Sequence, residues 1–142
     1  MVKKSDQQLI ALLQDNARRP VSELARELGL SRSTVQGRIR KLEQQGILRG
    51  YSVVLGDEYL NEQIAAHVLI KVQQKLTGAT SRQLRELPQT RALYAISGDY
   101  DLIAIIQADS TETLNQTLDE IGNLEGVERT NSSVILETKF VR

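Results

Sequence analysis

The 142-residue chain is predicted to be α+β, with a small trihelical unit followed by a four-stranded antiparallel sheet that carries two helices. Three observations predict this. Ser22–Leu48, SELARELGLSRSTVQGRIRKLEQQGIL, reads as two short helices joined by a Gly-Leu-Ser turn, with cations concentrated on the second. From residue 65 onward, strand and helix patterns follow one another in the order βαββαβ. Charge divides at the same place. Residues 1–50 carry ten Lys/Arg against five Asp/Glu, and residues 51–142 carry eight against thirteen, so +5 and −5 cancel.

The first helix is expected over Ser5–Asn16, where Leu9, Leu12 and Leu13 share a face and can close a small core. Leu24, Ala25 and Leu28 form the apolar stripe of the second. Gly29 suits the left-handed residue that ends it. Ser31 is a natural N-cap for the third helix, in which Val35, Ile39 and Leu42 recur at helical spacing and Gly46 marks the stop. Two helices so joined are a helix-turn-helix, whose second helix lies in the DNA major groove. Ile47–Leu55 (ILRGYSVVL) is β-branched and aromatic enough for a strand or abbreviated wing, completing a winged unit over residues 1–55. Residues 56–63 (GDEYLNEQ) are polar and acidic, and read as a linker to a second domain over 64–142.

In that domain Ala65–Val72 reads as a strand and Thr80–Leu87 as a short helix halted by Pro88. Arg91–Ser97 and Leu102–Ala108 are strands separated by Gly98-Asp99-Tyr100-Asp101. Ser110–Ile121 is a helix with Leu114, Leu118 and Ile121 on one face, and Val127–Thr138 is the last strand. The order is that of a ferredoxin-like fold, two helices covering one face of the sheet. Yet Leu102–Ile106 (LIAII) is apolar on both pleat faces, and His67–Val72 and Ser133–Leu136 are nearly so. Something must cover the second face. A second copy of the chain is the economical choice, because a two-fold interface lets one patch bury itself.

The bulk numbers narrow the class further. An apolar share of 40% and a charged share of 25% suit a soluble globular protein, and no apolar run approaches the ~18 residues of a membrane span. The N-terminus is amphipathic rather than signal-like. No cysteine is present, which excludes a disulfide framework and thiolate chemistry and makes the cytoplasm the default compartment. No Gly-rich phosphate loop or nucleophile–base pairing is evident, so no enzyme and no cofactor are expected. His67, the single histidine, lies among apolar residues and reads as a packing or interface group. Asp99 and Asp101 lack a third ligand for a metal.

On a helical wheel Ser33, Gln36, Gly37 and Arg40 oppose the core stripe, flanked by Thr34 and Lys41. Arg40 can give two hydrogen bonds to guanine, and Gln36 can pair similarly with adenine. Ser31, Arg32, Ser33 and Thr34 sit at the helix start, where hydroxyls, a cation and free N–H groups suit phosphate. Arg38 lies nearer the core and suits a phosphate or structural contact, as does Arg49. The absence of a side chain at Gly37 reads equally as room for the groove or as drift on an exposed face. In the second domain, Gly98–Asp101 is first of all a hairpin turn. Thr130-Asn131-Ser132-Ser133, followed by Val134, places four small polar residues in an otherwise apolar strand, where any buried ones need partners.

The two halves together resemble the Lrp/AsnC, or feast/famine, transcriptional regulators. SELARELGLSRSTVQGRIRKLEQQGILRGY is similar to that family's DNA-binding domain, and AISGDYDLIAII and GVERTNSSVILE are similar to its effector (RAM) domain. The resemblance spans essentially the whole chain. It implies binding to double-stranded DNA, dimers formed through the ferredoxin-like domain and further assembly to octamers, and a free amino acid as effector. By resemblance, Gly98, Asp99, Tyr100 and Asp101 border that ligand, and it lies between them and Thr130–Val134 across a subunit boundary. Two other readings remain at this stage: ligand-independent architectural DNA binding, or a ferredoxin-like metabolite-binding module.

Overall fold

The computed structural model describes residues 2–141. Contacts divide the chain into two compact units, Met1–Val54 and Leu55–Arg142. The first holds α1 (Lys4–Asp15), α2 (Val21–Leu28) and α3 (Arg32–Gln44). Leu9, Leu13, Leu24, Ala25, Val35 and Leu42 make its core, one face from each helix. Gly29 takes φ +66 at the end of α2, and Gly46 takes φ +72 just beyond α3. Ser31 caps α3 by accepting a hydrogen bond from the Thr34 N–H at 3.2 Å. Arg19 ties the helices at their rim, donating to Asp15 and Glu27 at 2.9 Å each.

The second unit begins with α4 (Asp57–Leu60), one helical turn inside the stretch read as a linker. Then come β1 (Ile64–Val72), a 3-10 turn at Gln74–Leu76, α5 (Thr77–Glu86), β2 (Thr90–Ala95), β3 (Leu102–Ala108), α6 (Thr111–Gly122) and β4 (Val127–Ile135). The strands are antiparallel in the order β2-β3-β1-β4, as in a ferredoxin-like fold. Ala66, Val68, Ile70, Val72, Leu102, Ala104 and Ile106 point to one face, where they pack against Leu84 of α5 and Leu114 and Ile121 of α6.

The opposite face follows from the register. It carries Ala92 and Tyr94 of β2, Ile103 and Ile105 of β3, Leu69 and His67 of β1, and Asn131 and Ser133 of β4. Ile103, Ile105 and Leu69 are only half-buried there, and Tyr94 is 57% exposed. Both apolar faces read from LIAII are present, and the helices bury one.

Several elements differ from the sequence reading. Ile47–Leu55 forms no strand; Val53 and Val54 are 82% and 91% exposed, and no neighbouring strand pairs with them. Helix α5 starts at Thr77 rather than Thr80, extended from the 3-10 turn before it. Strand β2 runs Thr90–Ala95 rather than Arg91–Ser97. Strand β4 ends at Ile135, opposite Ala65, because β1 offers little beyond that point to pair with, and Leu136–Thr138 lie outside the sheet.

Candidate functional site

Helix α3 is exposed along one side. Ser33, Gln36, Gly37 and Arg40 are all exposed, as are Arg32, Thr34 and Lys41 beside them. A Cβ built at Gly37 meets nothing within 4 Å, so the chain itself has no steric need for glycine there. The same stripe continues to Gln44, which the wheel reading left out; α3 runs a full turn beyond Arg40 and carries the stripe with it. At the helix start, Ser31 Oγ lies 2.7 Å from Thr34 Oγ1 and 3.2 Å from Ser33 Oγ, a hydroxyl cluster beside the exposed Arg32.

Arg38 differs from these. Its guanidinium Nη1 faces Asp6 Oδ1 of α1 at 3.9 Å, and both atoms are buried and have no hydrogen-bond partner. Arg38 thus tethers α3 to α1 and its charge is turned away from the exposed stripe. Tyr51, beyond α3, has its pKa raised, by partial burial first and by the Glu43 carboxylate second.

In the second unit the hairpin between β2 and β3 is closed by the Ile96 N–H donating to the Asp101 carbonyl at 2.9 Å, with Gly98 at φ +113. Asp101 then bridges to β1. Its N–H donates to the Ile70 carbonyl at 3.0 Å, and its Oδ2 accepts from the Val72 N–H at 2.9 Å, with Lys71 Nζ at 3.7 Å. The carboxylate is thereby held by its own chain. Asp99 is exposed and has no ion pair among the described residues.

Tyr100 carries the guanidinium of Arg129 over its ring, 5.0 Å from the centroid. This contact joins the hairpin loop to the head of β4, next to Thr130. Arg129 was missed in the sequence reading, although it immediately precedes the polar run. The run itself is divided by the pleat. Thr130, Ser132 and Val134 share the helix face, whereas Asn131 and Ser133 share the opposite one. Strand β4 is an edge strand, and Asn131, Ser132, Ser133 and Val134 are exposed. The single chain therefore leaves them no unmet need for a ligand. The loop and the Arg129–Thr130 end come together. Val134 lies five residues along, roughly 16 Å away, where it lines a cavity of about 310 Å³ with Ile64, Thr111 and Asn115.

Among the described residues, no group of three or more His, Cys, Asp or Glu side chains could hold a metal ion. No helix among them is long and apolar enough to cross a membrane.

Comparison with known proteins decides the family. Residues 4–43 match the AsnC-type helix-turn-helix domain, and residues 65–141 match the Lrp/AsnC ligand binding domain. The chain belongs to the Lrp/AsnC family. The HTH-type transcriptional regulator FL11 of Pyrococcus horikoshii is 32% identical, over 94% of this chain and 88% of its own. The regulator LysM of Saccharolobus solfataricus is 33% identical, over 98% and 96% respectively. A transcriptional regulator of Neisseria meningitidis, solved as an L-Met complex, shares the fold at a TM-score of 0.86 with 24% identity, covering 99% of this chain and 94% of that one. This Lrp/AsnC protein is accordingly a DNA-binding transcriptional regulator with a ligand-binding domain, and not an enzyme.

Proposed function

We propose that this regulator responds to a free amino acid, held at the sheet end where the β2–β3 hairpin meets the head of β4. The contact of Tyr100 with Arg129 carries the reading, because it unites two segments otherwise distant in sequence. A zwitterion needs a cation for its carboxylate and an anion or carbonyl oxygens for its ammonium. Arg129 is exposed and offers two N–H groups to a carboxylate. The exposed Asp99 or the carbonyls of the Gly98–Asp101 loop take the ammonium, and Asp101 fixes the loop through β1. The site is open in one chain, so the remaining walls, with Asn131 and Ser133 among their candidates, come from assembly. The protein acts as a homodimer or a higher assembly such as an octamer, in the cytoplasm. The family's ligand-binding domain and the L-Met complex of the Neisseria relative support this reading.

A thermal-shift screen of the twenty amino acids, beside a gel shift on the protein's own upstream DNA, tests it. One or a few amino acids are expected to raise the melting temperature, since a ligand of the folded state stabilises it. Arg129→Ala is expected to abolish that shift, and Asp101→Ala to weaken it. If no amino acid stabilises the protein or alters its DNA binding, the C-terminal domain serves assembly alone and DNA binding is architectural.

A further inference from the structure

Helix α3 carries four cations, Arg32, Arg38, Arg40 and Lys41. Three of them are exposed and take part in no ion pair among the described residues. Arg38 is the exception. Its side chain is 31% exposed, and that of its partner Asp6, in the first turn of α1, is 19% exposed. Arg38 Nη1 and Asp6 Oδ1 face one another at 3.9 Å, both shielded from water and neither with a hydrogen bond. Asp6 also borders a cleft of about 230 Å³ with Lys3, Lys41 and Gln45, and is the one carboxylate among the described residues lining it.

Such a pair adds little net stability, because desolvating two charges offsets much of their attraction. Its asymmetry matters more. Without Asp6, the Arg38 guanidinium is a buried charge with no counter-ion, which is strongly unfavourable. A long aliphatic stem lets an arginine escape that state by carrying its head to water. On α3 the neighbours of Arg38 at helical spacing include Thr34 and Lys41, both exposed on the flank of the stripe. A released Arg38 therefore emerges beside the exposed stripe, where a phosphate can take it by paired N–H bonds.

We infer that Asp6 is a positioning residue for DNA binding: it holds Arg38 off the phosphate backbone and so caps the protein's sequence-independent affinity. Phosphate contacts supply nearly all of non-specific binding, and each adds about 0.9 to the slope of log affinity against log salt. One surplus contact thus strengthens binding without adding any base reading. The inference rests on the family's DNA binding and owes nothing to the amino-acid site.

Fluorescence anisotropy of the full-length protein on a random-sequence DNA duplex, across a salt series, tests this. Asp6→Ala is expected to raise affinity at low salt by roughly threefold and to steepen the salt slope by about one. Arg38→Gln alone is expected to leave the slope unchanged, because the charge it removes is not on the DNA. Asp6→Ala/Arg38→Gln is expected to lose the increase. The inference is overturned if Asp6→Ala leaves affinity and slope as they were, which makes the pair a tether and nothing more. It is overturned if the double variant keeps the increase, since Asp6 then acts by its own repulsion of DNA. It is also overturned if Arg38→Gln lowers the slope, which places Arg38 on phosphate already. Circular dichroism and melting temperature verify folding. Asp6→Asn, which keeps the volume of the side chain, supplies the same reading should Asp6→Ala fail to fold.

Discussion

Arg38 and Arg40 stand two residues apart on α3 and are directed oppositely. Arg38 faces Asp6 across the helical core, while Arg40 is exposed on the stripe with Ser33 and Gly37. A base-reading role for Arg40 predicts that Arg40→Ala costs about 1–3 kcal/mol of discrimination at one base position and relaxes preference there. A phosphate-contacting role for Arg32, beside the capping hydroxyls, predicts a different pattern. Arg32→Ala is expected to weaken binding to all sequences alike and to lower the slope of log affinity against log salt by about one. Gel shifts on specific and random DNA across a salt series separate the two, and equal effects would refute the division of labour. Gly37 gives the sharpest single-residue test. Its conformation is helical and its surroundings empty, so Gly37→Ala should raise stability by about 0.5–1 kcal/mol. If glycine is there for close approach to the groove, the same change lowers DNA affinity. A stabilised variant with unaltered affinity makes the residue neutral.

At the scale of elements, the positions legible in the sequence are those where local chemistry and burial agree. Ser31 caps α3, and the apolar stripes of α1 to α3 found their core. The boundaries that moved depend on partners. Ile47–Leu55 has strand composition, but composition reports fitness for a sheet and cannot create a neighbour. Leu136–Thr138 drop out of β4 where β1 begins. The segments of the proposed site were legible to the same degree. The hairpin loop and the polar run are on the page as sequence, but their junction at Tyr100 and Arg129 depends on the register between β1 and β4. Gly126 shows a constraint that composition does not announce. It takes φ +93, and a Cβ there would lie 2.8 Å from Leu76 Cβ and 2.9 Å from Thr80 Oγ1. Its carbonyl accepts from the Gln73 N–H, and Thr80 Oγ1 donates to the adjacent Glu125 carbonyl. Gly126→Ala combines a left-handed backbone with overpacking against α5, and is expected to destabilise by about 2–4 kcal/mol. Chemical denaturation measures it, and a loss below about 1 kcal/mol would show that the turn relaxes freely.

For the molecule as a whole, the unburied side of the sheet sets the strongest demand. Ile103, Ile105 and Leu69 form an apolar centre there, with Ala92 and Tyr94 on the β2 side and Asn131 and Ser133 on the β4 side. Apolar area left in water forgoes about 25 cal/mol per Å², and a contiguous patch of this kind marks an association surface. A two-fold pairing of two such faces would bury the patch in a single step and give each dimer two copies of α3. Paired DNA half-sites are the corresponding expectation. Ile105→Lys places a charge in the centre of the patch and leaves the helix-facing core untouched, since Ile105 points away from Leu84 and Leu114. Sedimentation velocity should show the unaltered protein as a dimer or larger and the variant shifted toward monomer, with circular dichroism unchanged. The footprint on paired half-sites should contract to one, with affinity falling at least tenfold because the second contact is no longer intramolecular. A stable monomer at micromolar concentration, or a variant that assembles normally, would remove the sheet face from the assembly and require another surface to bring the two DNA-reading helices together.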